Sequence, residues 1–140
     1  MKCPLIIDLP MSQTPTRKPA QNVLGQRLEL CCSSPRTGFY RDGFCNTGPQ
    51  DFGSHTVCAQ VTEAFLAYTQ QRGNDLSTPV PAYQFPGLKP GDRWCLCASR
   101  WQEAIRAGVA PPIVLAATHE QVLETIPLEI LQEYALDSGV

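Results

Sequence analysis

Charge is scarce in this chain. Asp, Glu, Lys and Arg make up 17% of its 140 residues and leave a net charge of −2 at neutral pH. With no basic stripe, nucleic-acid binding through phosphate neutralisation is not expected. Long apolar runs are missing as well. The segment Met1-Lys2-Cys3-Pro4-Leu5-Ile6-Ile7-Asp8 holds three consecutive large apolar residues before a charge. That is short of a secretory core, and nothing elsewhere approaches a membrane span. A soluble, cytoplasmic protein with neither a membrane nor a nucleic-acid partner is the expectation. No Cys-x-x-Cys pair occurs, so the common zinc frames do not apply. No internal repeat is visible.

Cysteine and proline are plentiful instead, at 7 and 13 residues. An odd cysteine count leaves one thiol over from any closed disulfide framework. A chain of this length builds a core without covalent staples. Reduced thiols are therefore expected, most of them buried as small hydrophobes. Proline falls mainly between the periodic segments, which makes the connections extended and stiff.

Residues 1–21 are rich in Pro, Thr, Gln and Lys without periodicity and read as a flexible tail. A single α+β domain is expected over 22–137. Arg27 to Cys32 reads as a short strand and Phe44 to Gly53 as a long functional or capping loop. A helix capped by Ser54 or Thr56 is expected next, with Val57, Val61, Ala64, Phe65 and Tyr68 on one face and Gly73 ending it. Residues 74–90 form an extended loop over the surface or a groove. Then come a strand over 93–98, a helix over 100–107 opened by the capping box Ser99 to Gln102, and an apolar strand over 113–117. A second capping box at Thr118 to Gln121 opens another helix, and Pro127 starts the last one. The fold class is thus compact α+β, with a small sheet containing a βαβ unit and about four helices. Parallel strands would bring both following loops, Ser99-Arg100 and Thr118-His119, to one edge of the sheet, where ligands bind.

The chemistry-bearing residues are few. Cys95 and Cys97, two apart on a strand, share a face. Cys58 in the first turn of its helix would gain thiolate character from the dipole, with His55 as proton acceptor. Its spacing to Val61 and Phe65 equally suits a core position. His119 at a helix start would stay neutral and act as a base or hydrogen-bond partner. The catalytic candidates are therefore Cys58, His55 and His119, converging near Cys97. Cys95, Cys97, Arg93, Arg100, Ser99 and Thr118 are candidates for binding, with Arg36, Arg93 and Arg100 placed to hold an anion. His55, Cys58, Cys95 and Cys97 make a formally acceptable zinc set, with His119 or Cys45 as substitutes. Their spacing matches no familiar frame, so neither metal nor cofactor is expected.

Several phrases are long and distinctive. They are Thr37-Gly38-Phe39-Tyr40-Arg41-Asp42-Gly43, Gly53-Ser54-His55-Thr56-Val57-Cys58-Ala59 and Gly73-Asn74-Asp75-Leu76-Ser77-Thr78-Pro79, then the run from Phe85 to Cys97, and Ala110-Pro111-Pro112 with Ala117-Thr118-His119. Together they resemble an uncharacterised bacterial family, the domain of unknown function 2237, from about Asn22 to about Ala135. The resemblance brings no activity, cofactor or catalytic residue with it. From the residues alone, the first reading is a small cysteine-dependent enzyme or redox protein. The second is a non-catalytic binding module, with a groove under the 74–90 loop for a small anionic ligand or a partner peptide. A structural zinc domain ranks third.

Overall fold

A computed structural model describes residues 20–33, 36–83 and 85–137. The tail expected over 1–21 lies almost wholly outside them. Two strands, β1 (His55–Gln60) and β2 (Arg93–Cys97), pair antiparallel. Three α-helices follow the strands or close the chain: α1 (Glu63–Gln71), α2 (Ala98–Arg106) and α3 (Leu128–Glu133). Short 3-10 turns at Pro81–Tyr83, Leu115–Ala117 and Glu120–Glu124 complete the α+β architecture.

The first expected helix is a strand for its opening half. His55-Thr56-Val57-Cys58-Ala59-Gln60 is strand, and α1 begins after it, capped by Thr62, whose Oγ1 accepts the Phe65 N–H at 3.1 Å. Val57, Val61 and Phe65 match a helical period, but pairing with β2 satisfies the backbone of 55–60, and the β-branched Thr56 and Val57 suit a pleated surface. Cys58 therefore sits in mid-strand, away from any helix N-terminus.

The βαβ unit is also corrected. Its first strand and helix exist, as β2 and α2, but 113–117 is no strand. Ile113 makes isolated bridges, antiparallel to Ala59 and parallel to Ala135, and Leu115–Ala117 is a 3-10 turn. Pro111 and Pro112 have no N–H to extend a ladder. The segment 112–114 instead lies along the free edge of β1, where the Pro112 carbonyl accepts from Gln60 N–H and Val114 N–H donates to Cys58 O. Because β2 and the 112–114 segment both run antiparallel to β1, on its two edges, they are parallel to each other with β1 between them. The chain after each reaches the start of β1: His55 opposes Cys97, and the His119 N–H donates to Thr56 O.

Two helix starts differ from expectation. The N-cap of α2 is Cys97, and the Ala98 N–H bonds the Ser54 carbonyl at 3.0 Å, so Ser99 lies inside the helix. After Thr118 the chain forms a 3-10 turn capped by His119, whose Nδ1 accepts the Gln121 N–H at 3.0 Å. Thr118 is drawn elsewhere: its Oγ1 donates to Val114 O and accepts from Cys58 N–H. Pro127 is the N-cap of α3, one place before the expected position.

Period-two alternation divides the sheet into two buried faces. Val57, Ala59, Trp94 and Leu96 join the apolar core with Phe65, Trp101, Ile113 and Leu131. Cys58 and Cys95 point the other way, into a separate cluster with Cys31, Cys45 and Ala117. Trp101 is the centre of the apolar side. It is fully buried, packs edge-on against Tyr134 at 5.2 Å and donates its indole N–H to Pro111 O at 3.0 Å. Trp101→Ala should cost about 3–5 kcal/mol through cavity formation, read as a lower urea midpoint at unchanged slope. The exposed Leu123 is the control: Leu123→Ala should change stability by less than about 0.5 kcal/mol.

Candidate functional site

The strand register builds the site. From Gln60↔Arg93 to Val57↔Leu96 the pairing is regular, and then it shifts, so that His55 rather than Thr56 opposes Cys97. A one-residue slip moves a side chain to the other face. The bulge thus transfers His55 onto the face that carries Cys97. Ser54, just before it, has φ of 53°, a left-handed conformation that is uncommon for a residue with a Cβ. It turns the chain from the 47–53 loop into the strand.

His55 Nε2 lies 3.3 Å from Cys97 Sγ, and His55 Nδ1 lies 2.6 Å from Asp51 Oδ1. Asp51 is fully buried in its side chain and fully engaged. Its Oδ2 accepts the backbone N–H of His55 at 2.9 Å and the hydroxyl of Thr47 at 3.0 Å. Two short turns, Asp51 N–H to Gly48 O and Ser54 N–H to Asp51 O, hold the carboxylate there. The result is a chain of three groups, carboxylate to imidazole to thiol, in the arrangement that orients a base and sets it against a nucleophile.

Electrostatics follow the geometry. The hydrogen bond to Cys97 is the largest influence on His55. It outweighs burial, and with the Asp51 carboxylate it raises the imidazole from 6.5 to about 9. Burial pushes the Asp51 carboxyl up, but the hydrogen bonds from the His55 N–H, the His55 ring and Thr47 prevail and hold it below its ordinary value of 3.8.

The surroundings leave the thiol reachable. Cys97 is the free cysteine among the described residues and is half-buried. Phe39 stacks on the imidazole at 6.0 Å, and Tyr40 meets Phe39 edge-on. Gly53 lies directly against the pair: a Cβ there would sit 3.0 Å from Cys97 Sγ and 3.1 Å from His55 Cε1. An open cleft of about 290 Å³ lies beside the pair, lined by Gly53, Ser54, Ala98, Ser99, Gln102 and Glu124 among others and not by Cys97 or His55 themselves. Helix geometry leaves the first-turn N–H groups of α2 without intrahelical acceptors. Ser54 O takes that of Ala98, and those of Ser99 and Arg100 come next.

The other sequence candidates are placed differently. Cys58 is fully buried and bonded to Cys31, and Cys95 is bonded to Cys45. The expectation of reduced thiols is corrected for these four residues, because the β1–β2 register and the loops at 31 and 45 bring their sulfurs together pairwise, and for Cys32, which is disulfide-bonded as well. His119 donates its backbone N–H to Thr56 O, but its ring serves as a cap, and burial pushes it below its ordinary value. Arg100 is held by Arg72 O and Glu103, Arg93 lies 3.4 Å from Gln60 Oε1, and Thr118 is buried. Of the expected binding residues, Ser99 lines the cleft, and none of the three arginines placed to hold an anion does. Sequence reasoning missed Asp51. The available signal was its position four residues before His55, inside the loop already marked as functional.

A proton titration follows from this geometry. The His55 ring should titrate near pH 9 by NMR, and Asp51→Asn or Gly53→Ala should lower that midpoint, the first by removing the carboxylate and the second by pressing between thiol and ring. His55, whose folded value is raised, stabilises the fold fully below pH 6.5 and loses that contribution as pH rises through about 9. Asp51, whose folded value is lowered, contributes above pH 3.8 and loses its share as pH falls below that. A melting-temperature profile whose alkaline slope is unchanged in His55→Ala would contradict the assignment.

No curated protein matches this sequence. A family match spans residues 21–135, which includes Asp51, His55 and Cys97. The chain belongs to the family DUF2237, described as an uncharacterized protein conserved in bacteria.

Proposed function

We propose that this protein is a cysteine-dependent enzyme of acyl transfer or hydrolysis, with Cys97 as nucleophile, His55 as general base and Asp51 as the group that orients the imidazole. The observation that carries the reading is the continuous pair of contacts, 2.6 Å from Asp51 to His55 and 3.3 Å from His55 to Cys97. In the reaction, His55, raised to about 9, already holds the proton that the pair shares at neutral pH, and Cys97 Sγ bonds to a carbonyl carbon as the anion of that ion pair. The carbonyl electron pair moves onto its oxygen, which the first turn of α2 faces as a donor of N–H groups and positive dipole. As the oxyanion collapses, the bond to the leaving group breaks and His55 returns the proton to that group, leaving a thioester on Cys97. Water, giving a proton to the same imidazole, then adds to the thioester, and the acid and the free thiol are regenerated. Asp51 keeps its charge throughout and supports the imidazolium. The chemistry needs no cofactor beyond these side chains.

The substrate is a small molecule or segment entering by the cleft at Gly53 and Ser99. A cytoplasmic location is part of the same proposal. Among the described residues no helix is long and apolar enough to cross a membrane.

The test uses an activated ester with a chromogenic leaving group. A burst of about one leaving group per chain, with the acyl group mapped to Cys97 by mass spectrometry, is expected. His55→Ala should slow acylation by about 10²-fold or more, and Asp51→Asn should slow it while leaving the fold intact by circular dichroism. Iodoacetamide should likewise modify Cys97 in the unreduced protein, more slowly in His55→Ala. Equal rates in wild type and His55→Ala would defeat the enzyme reading and favour a binding module for a small anionic ligand or a peptide in the same cleft.

A further inference from the structure

Beyond Cys97 and His55, the second face of the sheet is buried and made of sulfur, and its four other cysteines have no part in the chemistry above. Cys58 and Cys95 are direct cross-strand partners, and Cys31 and Cys45 arrive from the loops before β1. All four are at most 1% exposed. The sulfurs of Cys31, Cys45 and Cys58 lie within 4.8 Å of one another, and Cys95 is bonded to Cys45. Two disulfides are therefore packed side by side rather than set apart as separate staples. Four thiolates around a tetrahedral zinc ion at about 2.3 Å sit about 3.8 Å from one another. Such a tetrahedron needs the four sulfurs to converge from different directions, which two strands and two loops supply here. The usual spacing signal is absent because each ligand comes from a different segment.

We propose that Cys31, Cys45, Cys58 and Cys95 form a four-thiolate site for one zinc ion when reduced, and that the two disulfides are its oxidised, metal-free form. Reduction by a dithiol or a phosphine opens both bonds to four thiols. Binding of Zn²⁺ then releases four protons. In the reverse direction two molecules of hydrogen peroxide and four protons take up the four electrons of the thiolates, giving two disulfides, four waters and free Zn²⁺. Cys97 stays outside the exchange, since its partner is His55. In a reducing compartment the metal form would be the standing one, and the same residues would hold the 31 and 45 loops to the sheet in both states.

Cobalt reports the geometry. Full-length protein reduced with phosphine under anaerobic conditions should bind one Co²⁺ per chain with the intense visible bands of tetrahedral thiolate coordination, and Zn²⁺ should abolish them. Cys97→Ser should retain the spectrum and Cys45→Ser should lose it. Because Cys45→Ser bears on folding as well, alkylation of the wild type supplies a second measurement. Zn²⁺ should slow modification of Cys31, Cys45, Cys58 and Cys95 at least tenfold and leave Cys97 unchanged. Peroxide should release one Zn²⁺ per chain while the Cys31–Cys58 and Cys45–Cys95 bonds return. Substoichiometric cobalt, an octahedral spectrum, or protection that maps to Cys97 would overturn the proposal. None of these readouts depends on the reactivity of Cys97 toward esters.

Discussion

Everything distinctive about this molecule depends on one antiparallel strand pair and the point at which its register slips. While the pairing of β1 with β2 is regular, Cys58 opposes Cys95 and the two strands present an apolar face and a sulfur face. One residue of slip at Thr56 sets His55 across from Cys97. Bulges are a common way to re-aim a side chain next to a site. Without the slip, Thr56 would oppose the thiol and the imidazole would point to the opposite face.

The rest of the chain holds this short sheet in place from both sides. On the apolar face Trp101, Phe65, Leu96, Ile113 and Leu131 form the main core. On the other face lie loops with little regular structure of their own. Residues 36–54 are mostly turns and bends, and they have few apolar side chains to bury. Two covalent links to the sheet replace that missing core. With separations of 27 and 50 residues, each bond removes loop entropy worth about 3–4 kcal/mol in the chain-entropy picture. That is comparable to burying one large aromatic side chain. Further order comes from Asn22, which accepts the N–H groups of Leu24 and Gln26 and donates to Arg27 O and Ala116 O.

Precision at the site comes from the same economy of parts. Asp51 is held by a turn, by Thr47 and by the backbone N–H of His55 before its second oxygen meets the ring. The thiol stands at the junction of β2 and α2, where the chain changes from extended to helical. Three residues from two segments are thereby fixed, and the absence of a Cβ at Gly53 lets the loop pack directly against the thiol and the imidazole.

Local sequence determined a good deal. The strand over Arg93 to Cys97, the helix directly after it, the ends of α1 at Gly73 and of α2 near Gly108, and the shared face of Cys95 and Cys97 all follow from short-range pattern. These are contests decided within a few residues, by alternation, helix-breaking glycine and cap chemistry. His55 and Cys97 were recognisable as residues with chemistry to offer. Tertiary structure decided the rest. Val57, Val61 and Phe65 fit a helix and a strand-then-helix equally well, and only the presence of β2 as a partner selects the latter. Residues 113–117 have the composition of a buried strand, yet the prolines before them and the edge of β1 reduce them to isolated bridges. The partners of Cys31 and Cys45, and the alignment of Asp51 with His55 and Cys97, depend on a register shift and on loop paths spanning tens of residues. Such contacts leave no periodic trace, because they are set by which surfaces meet after the core has formed.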